Sequence, residues 1–169
     1  RIRADLQRAG VRVKLDDSEE NSPGWKYAEW EMRGVPLRLE IGPKDIEKSA
    51  VMSVRRDTRA KESIPFDQLT TKIPDLLETI QQALLDRARA FRDEHTTEVS
   101  DWEAFRSLME GRPGFVVAPW CGDAECEAAI KADTQATLRN IPLGSPRVEG
   151  TCVRCGRPSS VKGWFAKAY

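Results

Sequence analysis

Four cysteines are the residues of this chain best suited to chemistry. Four residues separate Cys121 from Cys126, two separate Cys152 from Cys155, and about 25 lie between the pairs. Two such pairs supply four thiolates to one tetrahedral zinc ion. Gly122 and Gly156 stand beside them, where a tight knuckle turns backbone amides toward sulfur. The run Cys152-Val153-Arg154-Cys155-Gly156 is a compact knuckle, and Cys121 to Cys126 is a looser one. Four cysteines close the coordination sphere and leave no position for a reactive water. The expected role is therefore structural, supplying folding energy to a module with little core of its own. A Cys-x-x-Cys redox pair is the rival reading, but it lacks the strand-then-helix setting of thioredoxin-like pairs. An iron–sulfur cluster is a further one. His95 is the sole histidine, so a His-rich metal site is excluded. Its place at a helix end suits a contact with the helix dipole.

The second group lies in residues 34–58. Val35, Leu37, Leu39 and Ile41 alternate with Pro36, Arg38 and Glu40. That pattern predicts a strand over 35–41 with one apolar and one polar face. A sharp Gly42-Pro43 turn and a second strand over 50–55 follow. Glu40, Lys44, Asp45, Arg55, Arg56 and, further on, Lys61 set cations beside carboxylates. Arg and Lys hold phosphates, and Glu or Asp accepts from the amines of base edges, so the set suits a nucleic acid. A solvated sheet face with surface ion pairs is the plainer alternative.

These groups need a frame to position them. A chain of 169 residues fits one large or two small domains. Hydrophobic content of 40% and charged content of 32% are those of a globular protein. The formal net charge is zero, so nucleic acid would have to be drawn to a local patch. No apolar run reaches the length of a membrane span and no signal peptide is visible, so no membrane partner is expected. Cysteines without a secretory context argue for metal or redox chemistry over a disulfide framework. The chain opens without an initiator Met, which suggests part of a longer protein.

In order, residues 1–9 read as the last turns of a helix stopped by Gly10. Val11, Val13 and Leu15 alternate with Arg12 and Lys14 as a short strand. A helix followed by a strand is half of a β–α–β unit, so a first strand is expected to lie outside the chain. A helix over 25–33, capped by Ser22 or Gly24 and ended by Gly34, carries Trp25, Tyr27 and Trp30 beside Lys26. Residues 61–65 close a hairpin. The longest regular element is 66–95, with Leu69, Ile73, Leu76, Leu77, Ile80, Leu84, Ala88 and Phe91 on one stripe. Pro74 marks its expected helical start. Residues 97–100 read as a boundary. Ser100 is placed to cap a helix over 101–110, with Glu103 at capping-box spacing, and the run 111–114 stops it. A buried strand over 115–118 delivers Cys121. A helix over 128–138, a strand over 136–143 and a last strand over 161–169 complete the chain.

These stretches together resemble a known family. The run Ser22-Pro23-Gly24-Trp25-Lys26, Glu29-Trp30-Glu31, Gly34 through Asp45, then Val54-Arg55-Arg56-Asp57-Thr58, is similar to the anticodon-binding domain of prolyl-tRNA synthetases of the eukaryotic/archaeal type. The four-cysteine module and the terminal Tyr169 match that type too. Lys44 stands where the family often has Arg, which keeps charge but loses bidentate geometry. The resemblance implies an α/β fold in two domains. Residues 1–98 would be an anticodon-binding domain with a mixed five-stranded sheet flanked by helices, its first strand missing. Residues 99–169 would be a small α/β zinc-binding domain. It implies a class II, cytoplasmic proline–tRNA ligase that works through prolyl-adenylate and dimerises through its catalytic domain. ATP and Mg belong to that catalytic core, and this chain carries none of its motifs, so no catalytic residue is assigned and the chain alone should be inactive. The implied partner is the anticodon arm of tRNA(Pro), whose two guanines would meet Glu40 and Asp45, with Lys44, Arg55, Arg56 and Lys61 on phosphates or guanine acceptors. Tyr169 resembles the terminal residue that reaches toward the catalytic site. The alternatives are a zinc-stabilised protein-interaction module without RNA specificity, marked by an exposed apolar stripe on the long helix, and a thiol oxidoreductase.

Overall fold

The computed structural model describes residues 1–111 and 114–168. Its backbone divides into two units, Arg1–Arg87 and Ala88–Tyr169. The fold is α/β in both.

In the first unit, α1 (Ile2–Arg8) buries Leu6 and ends before Gly10, whose φ of 81° takes the left-handed turn that favours glycine. Residues 11–15 are not a strand, although their side chains alternate. Val11 and Val13 do pack on the unit's apolar core. A strand needs a hydrogen-bonded neighbour, and a cavity of about 580 Å³ lies between this segment and residues 35–39. Next comes α2 (Pro23–Met32), with Pro23 in its first turn and the Ser22 side chain accepting from Trp25 N–H at 3.4 Å.

β1 (Leu37–Glu40) is shorter than the alternation suggests. The Val35 N–H donates back to the Trp30 carbonyl, and Pro36 has no N–H to give. The Gly42-Pro43 turn is in fact the start of a one-turn helix, α3 (Pro43–Glu47). Gly42 N–H donates to the Asp45 carboxylate at 2.9 Å, and that bond, with Pro43 in the first turn, favours helix over a sharp turn. β2 (Ala50–Arg55) and β3 (Lys61–Pro65) follow. The strands pair antiparallel in the order β1-β2-β3, with Leu37 opposite Arg55, Leu39 opposite Ser53 and Val51 opposite Ile64. Of the five strands the resemblance implies, three pair among the described residues. Leu6, Val51, Ile64, Leu69 and Ile73 form the core.

The long helix α4 (Leu69–Glu94) starts five residues before Pro74, with a 3₁₀ turn, Phe66–Gln68, ahead of it. Pro74 lies inside α4, where it removes the bond to the carbonyl of exposed Thr70 and crowds that carbonyl, but it does not set the start. The unit boundary falls inside α4. Its stripe is buried at Leu69, Ile73 and Ile80, whereas Phe91 is 62% exposed. His95 caps the end, its Nδ1 2.7 Å from the Phe91 carbonyl and its ring stacked on Phe91.

The second unit runs β4 (Thr96–Glu98), α5 (Trp102–Glu110), β5 (Phe115–Trp120), α6 (Ala124–Thr134), β6 (Ala136–Asn140), β7 (Gly150–Thr151), β8 (Pro158–Ser159) and β9 (Val161–Lys167). One sheet has the order β4-β5-β9-β6, parallel only between β4 and β5, and β7 pairs β8. Asp101, not Ser100, caps α5, accepting from Ala104 N–H at 2.9 Å. Glu103 then stands one position too early for a capping box. α6 begins four residues ahead of expectation because the Asp123 side chain accepts from Glu125 and Cys126 N–H. Gln135, with φ of 63°, ends it. Gly163 fits a close approach: a Cβ there would lie 2.6 Å from Leu138 Cδ1. Arg112, Pro113 and Tyr169, and the expectations placed on them, lie outside the described residues. Among the described residues no helix is long and apolar enough to cross a membrane.

Phe105 anchors this unit. It is fully buried, meets the Phe165 ring edge-on at 5.4 Å and stacks on Trp102. Phe105→Ala is expected to cost about 3–5 kcal/mol, measured by denaturant unfolding.

Candidate metal centre and nucleic-acid interface

Cys121 follows β5, Cys126 lies in the first turn of α6, and Cys152 and Cys155 occupy the loop from β7 to β8. Their four sulfurs all lie within 4.8 Å of one another, and none forms a disulfide. Sγ–Sγ distances are 3.6 Å for Cys126–Cys152 and 3.7 Å for Cys121–Cys155. A tetrahedral ion with bonds of about 2.3 Å to sulfur sets its ligands about 3.8 Å apart, so the four residues fit one such metal. Gly122 and Gly156 have φ of 83° and 71°, the turns that bring the knuckles round.

Backbone and side-chain bonds hold the loops in register. Val153 N–H donates to the Pro119 carbonyl at 2.9 Å, and Cys152 N–H to the Arg157 carbonyl at 2.8 Å. Arg157 pairs with Asp123 at 3.1 Å and donates through Nε to Cys155 Sγ at 3.4 Å. Arg154 pairs with Asp133 at 2.8 Å and lies over the Trp102 ring. Burial pushes the Cys121 and Cys126 thiols up, while the Arg157 side chain brings Cys155 down to about 6. The α6 cap and Arg157 hold Asp123 below the usual carboxylate range.

In the first unit, register decides which charged residues share a face. Arg38 lies opposite Val54, Val54 opposite Lys61, and Glu40 opposite Met52. Arg38, Glu40 and Lys61 therefore face one way. Arg55 lies opposite Leu37, on the core-facing side, and gives two hydrogen bonds to Asp57 at 3.1 and 2.8 Å. That pairing raises Arg55 and lowers Asp57. Arg56 is half-buried and donates to the Glu31 carbonyl at 3.4 Å. Glu40 ends β1, and Lys44 and Asp45 lie in α3 just beyond it. Lys44 and Lys61 are exposed and, among the described residues, unpaired. Lys26 is committed elsewhere, at 3.2 Å from Asp16, which also accepts from Trp30 Nε1.

Four residues absent from the sequence-derived site build its frame. The Arg38 guanidinium lies 3.8 Å from the Tyr27 ring centroid, bonds Glu31 at 2.9 Å and bonds Glu40 at 2.8 Å. Glu31 also accepts from Arg59. The alternation of Arg38 with Glu40 was the visible signal; the partners on α2 were not.

A family model described as an anticodon-binding domain matches residues 1–76, and one described as the C-terminal part of prolyl-tRNA synthetase matches residues 102–169. The proline–tRNA ligase of Lachnospira eligens is 46% identical over 164 residues, covering 97% of this chain and 34% of the relative. Proline–tRNA ligase 2 of Clostridioides difficile is 45% identical over 169 residues, covering 100% and 35%. The crystal structure of prolyl-tRNA synthetase from Cryptosporidium parvum, complexed with L-proline and AMP, superposes with a TM-score of 0.83 at 36% identity, covering 99% of this chain and 36% of that one. This chain thus spans about a third of the length of these relatives. The fold and the matches define an anticodon-binding domain followed by a C-terminal domain, the arrangement of an aminoacyl-tRNA synthetase. Within that class the chain belongs to the prolyl-tRNA synthetase family and corresponds to its C-terminal part.

The hydrogen bond from Arg59, followed by Arg38, holds Glu31 below the usual carboxylate range, and Asp57 is likewise depressed by Arg55. A depressed folded value gives stability that is complete above the ordinary carboxylate range, roughly pH 4, and lost as pH falls through the folded value. Thermal melts from pH 7 to 3 should therefore show falling stability below about pH 4, with a shallower slope in Glu31→Gln.

Proposed function

We propose that this chain is the anticodon-reading part of an enzyme that joins proline to its tRNA in an ATP-dependent, two-step reaction. The observation that carries this is the passage from β1 to α3, which holds Glu40, Lys44 and Asp45 within six residues on a domain matched by an anticodon-binding family model. Proline anticodons end in two guanines, whose N1 and N2 donors suit carboxylates. Glu40 and Asp45 accept from those donors. Lys44 and Lys61, exposed and unpaired among the described residues, meet phosphates. Arg55 and Arg56 reach RNA only by exchanging their present partners.

The domains of this reading are residues 1–98 for the anticodon and 99–169 for the metal. Zinc is the ion of choice for four thiolates in this spacing, held by Cys121, Cys126, Cys152 and Cys155. When bound it supplies cross-linking and folding energy. ATP, Mg and the surface for a homodimer lie in the catalytic portion of such an enzyme, which works in the cytoplasm. The interaction-module alternative is not favoured, because family models match 1–76 and 102–169.

Titration with a proline-tRNA anticodon stem-loop, at two salt concentrations, tests the reading. Changing both guanines should weaken binding about tenfold or more, while salt should weaken both RNAs alike. Equal affinity for the two RNAs would overturn guanine reading. Separately, metal analysis of protein purified without added zinc should find one zinc per chain; metal-free protein with two disulfides would overturn that assignment.

A further inference from the structure

We propose that Arg157 is a positioning residue that keeps Cys155 closed on the bound metal and so sets how fast the metal escapes, an inference that rests on the zinc-binding role given to the four cysteines above. The four sulfurs are not equally sheltered. Cys126 and Cys152 are buried, Cys121 is half-buried and Cys155 is exposed. A chelator or a thiol reagent therefore meets Cys155 first. The side chain beside that sulfur is Arg157, whose Nε–H donates to Cys155 Sγ at 3.4 Å. A terminal nitrogen of the same guanidinium pairs with one oxygen of Asp123 at 3.1 Å. The other oxygen of Asp123 accepts from the N–H groups of Glu125 and Cys126, at 2.8 and 3.1 Å. The Arg157 carbonyl accepts from Cys152 N–H at 2.8 Å.

Arg157 thus reaches three of the four cysteines: Cys155 through its side chain, Cys152 through its backbone and Cys126 through Asp123. Its carbonyl bond fixes where the side chain starts, and Asp123 fixes where it points. Four thiolates carry more negative charge than a divalent ion cancels, and a guanidinium beside them offsets part of the excess. The N–H on Cys155 also occupies a lone pair that an electrophile would otherwise use, and it orients the one sulfur that solvent reaches. Lysine in place of Arg157 keeps the charge but has no planar fork, so it cannot meet sulfur and carboxylate together in this geometry. The Arg157–Asp123 pair is partly exposed, and such pairs add little to overall stability. Its effect on metal retention is therefore separable from an effect on folding.

The test uses the full 169-residue chain loaded with zinc. Its first readout is zinc release to an excess of a chromogenic chelator. Arg157→Gln should release zinc about tenfold faster than wild type, and Arg157→Lys should follow it closely. The second readout resolves the four sites: alkylation by iodoacetamide, read by mass spectrometry. In Arg157→Gln, labelling of Cys155 should accelerate about tenfold while Cys126 and Cys152 keep their wild-type rates. A merely structural role would open the whole centre, so equal acceleration at all four cysteines overturns the proposal. Asp123→Asn still caps α6 but loses the ion pair, and should release zinc about threefold faster. It decides the matter if Arg157→Gln does not fold, and an unchanged rate there overturns the proposal. If wild type takes up no zinc, the metal reading falls and the proposal falls with it. If wild type holds zinc and Arg157→Gln releases it at the same rate, the zinc reading stands and Arg157 has no part in it.

Discussion

A charge that loses part of its water must find a partner, and both units are arranged around that requirement. Asp16 meets Lys26 and the Trp30 indole, Arg55 meets Asp57, Glu31 gathers Arg38 and Arg59, and Asp123 gathers Arg157. With equal numbers of acidic and basic residues, such pairing consumes most of the charge near the sheet. What remains unpaired becomes informative. Among the described residues Lys44, just beyond β1, and Lys61, on the face that carries Arg38 and Glu40, are exposed and make no ion pair. A surface that is neutral on average can hold an anionic ligand only where the internal pairing stops.

The second unit solves a different problem. Its sheet and two helices close on Phe105, Phe165 and Ile130, yet the loop from β7 to β8 has little apolar side chain to bury. The four sulfurs are placed to do the joining. One comes from the end of β5, one from α6 and two from the loop, so a single ion would tie three segments, of which the loop joins the apolar core through Cys152 and Val153. Asp123 belongs to this economy: the same carboxylate caps α6, setting Cys126 in place, and steadies Arg157 beside Cys155.

Much of this was legible in the residues alone. The cysteine spacing, the helix after Ser22, the β2–β3 hairpin and the long amphipathic helix depend on local pattern, and local pattern is what a sequence displays. The departures have nonlocal or competing causes. Val11, Val13 and Leu15 alternate as a strand does, but alternation does not supply a neighbour to pair with. Gly42-Pro43 suits a turn and a helix start equally, and a single bond from Gly42 to Asp45 decided for the helix. Ser100 and Asp101 are adjacent capping residues, and no spacing rule ranks them. The side on which Arg55 lies follows from register, which only the paired strands define. Glu31 and Tyr27 join Arg38 across α2 and β1, a contact that no run of consecutive residues encodes.

Trp120 sits at the end of β5, directly before Cys121, and its indole N–H is buried with no hydrogen-bond partner among the described residues. A buried N–H left unmet is uncommon, and here it is one bond pair away from a cysteine of the cluster. In optical terms, this is a buried indole in the same apolar core as Cys126 and Cys152. Its burial sets it apart from the half-buried indoles of Trp30, Trp102 and Trp164 and the exposed one of Trp25.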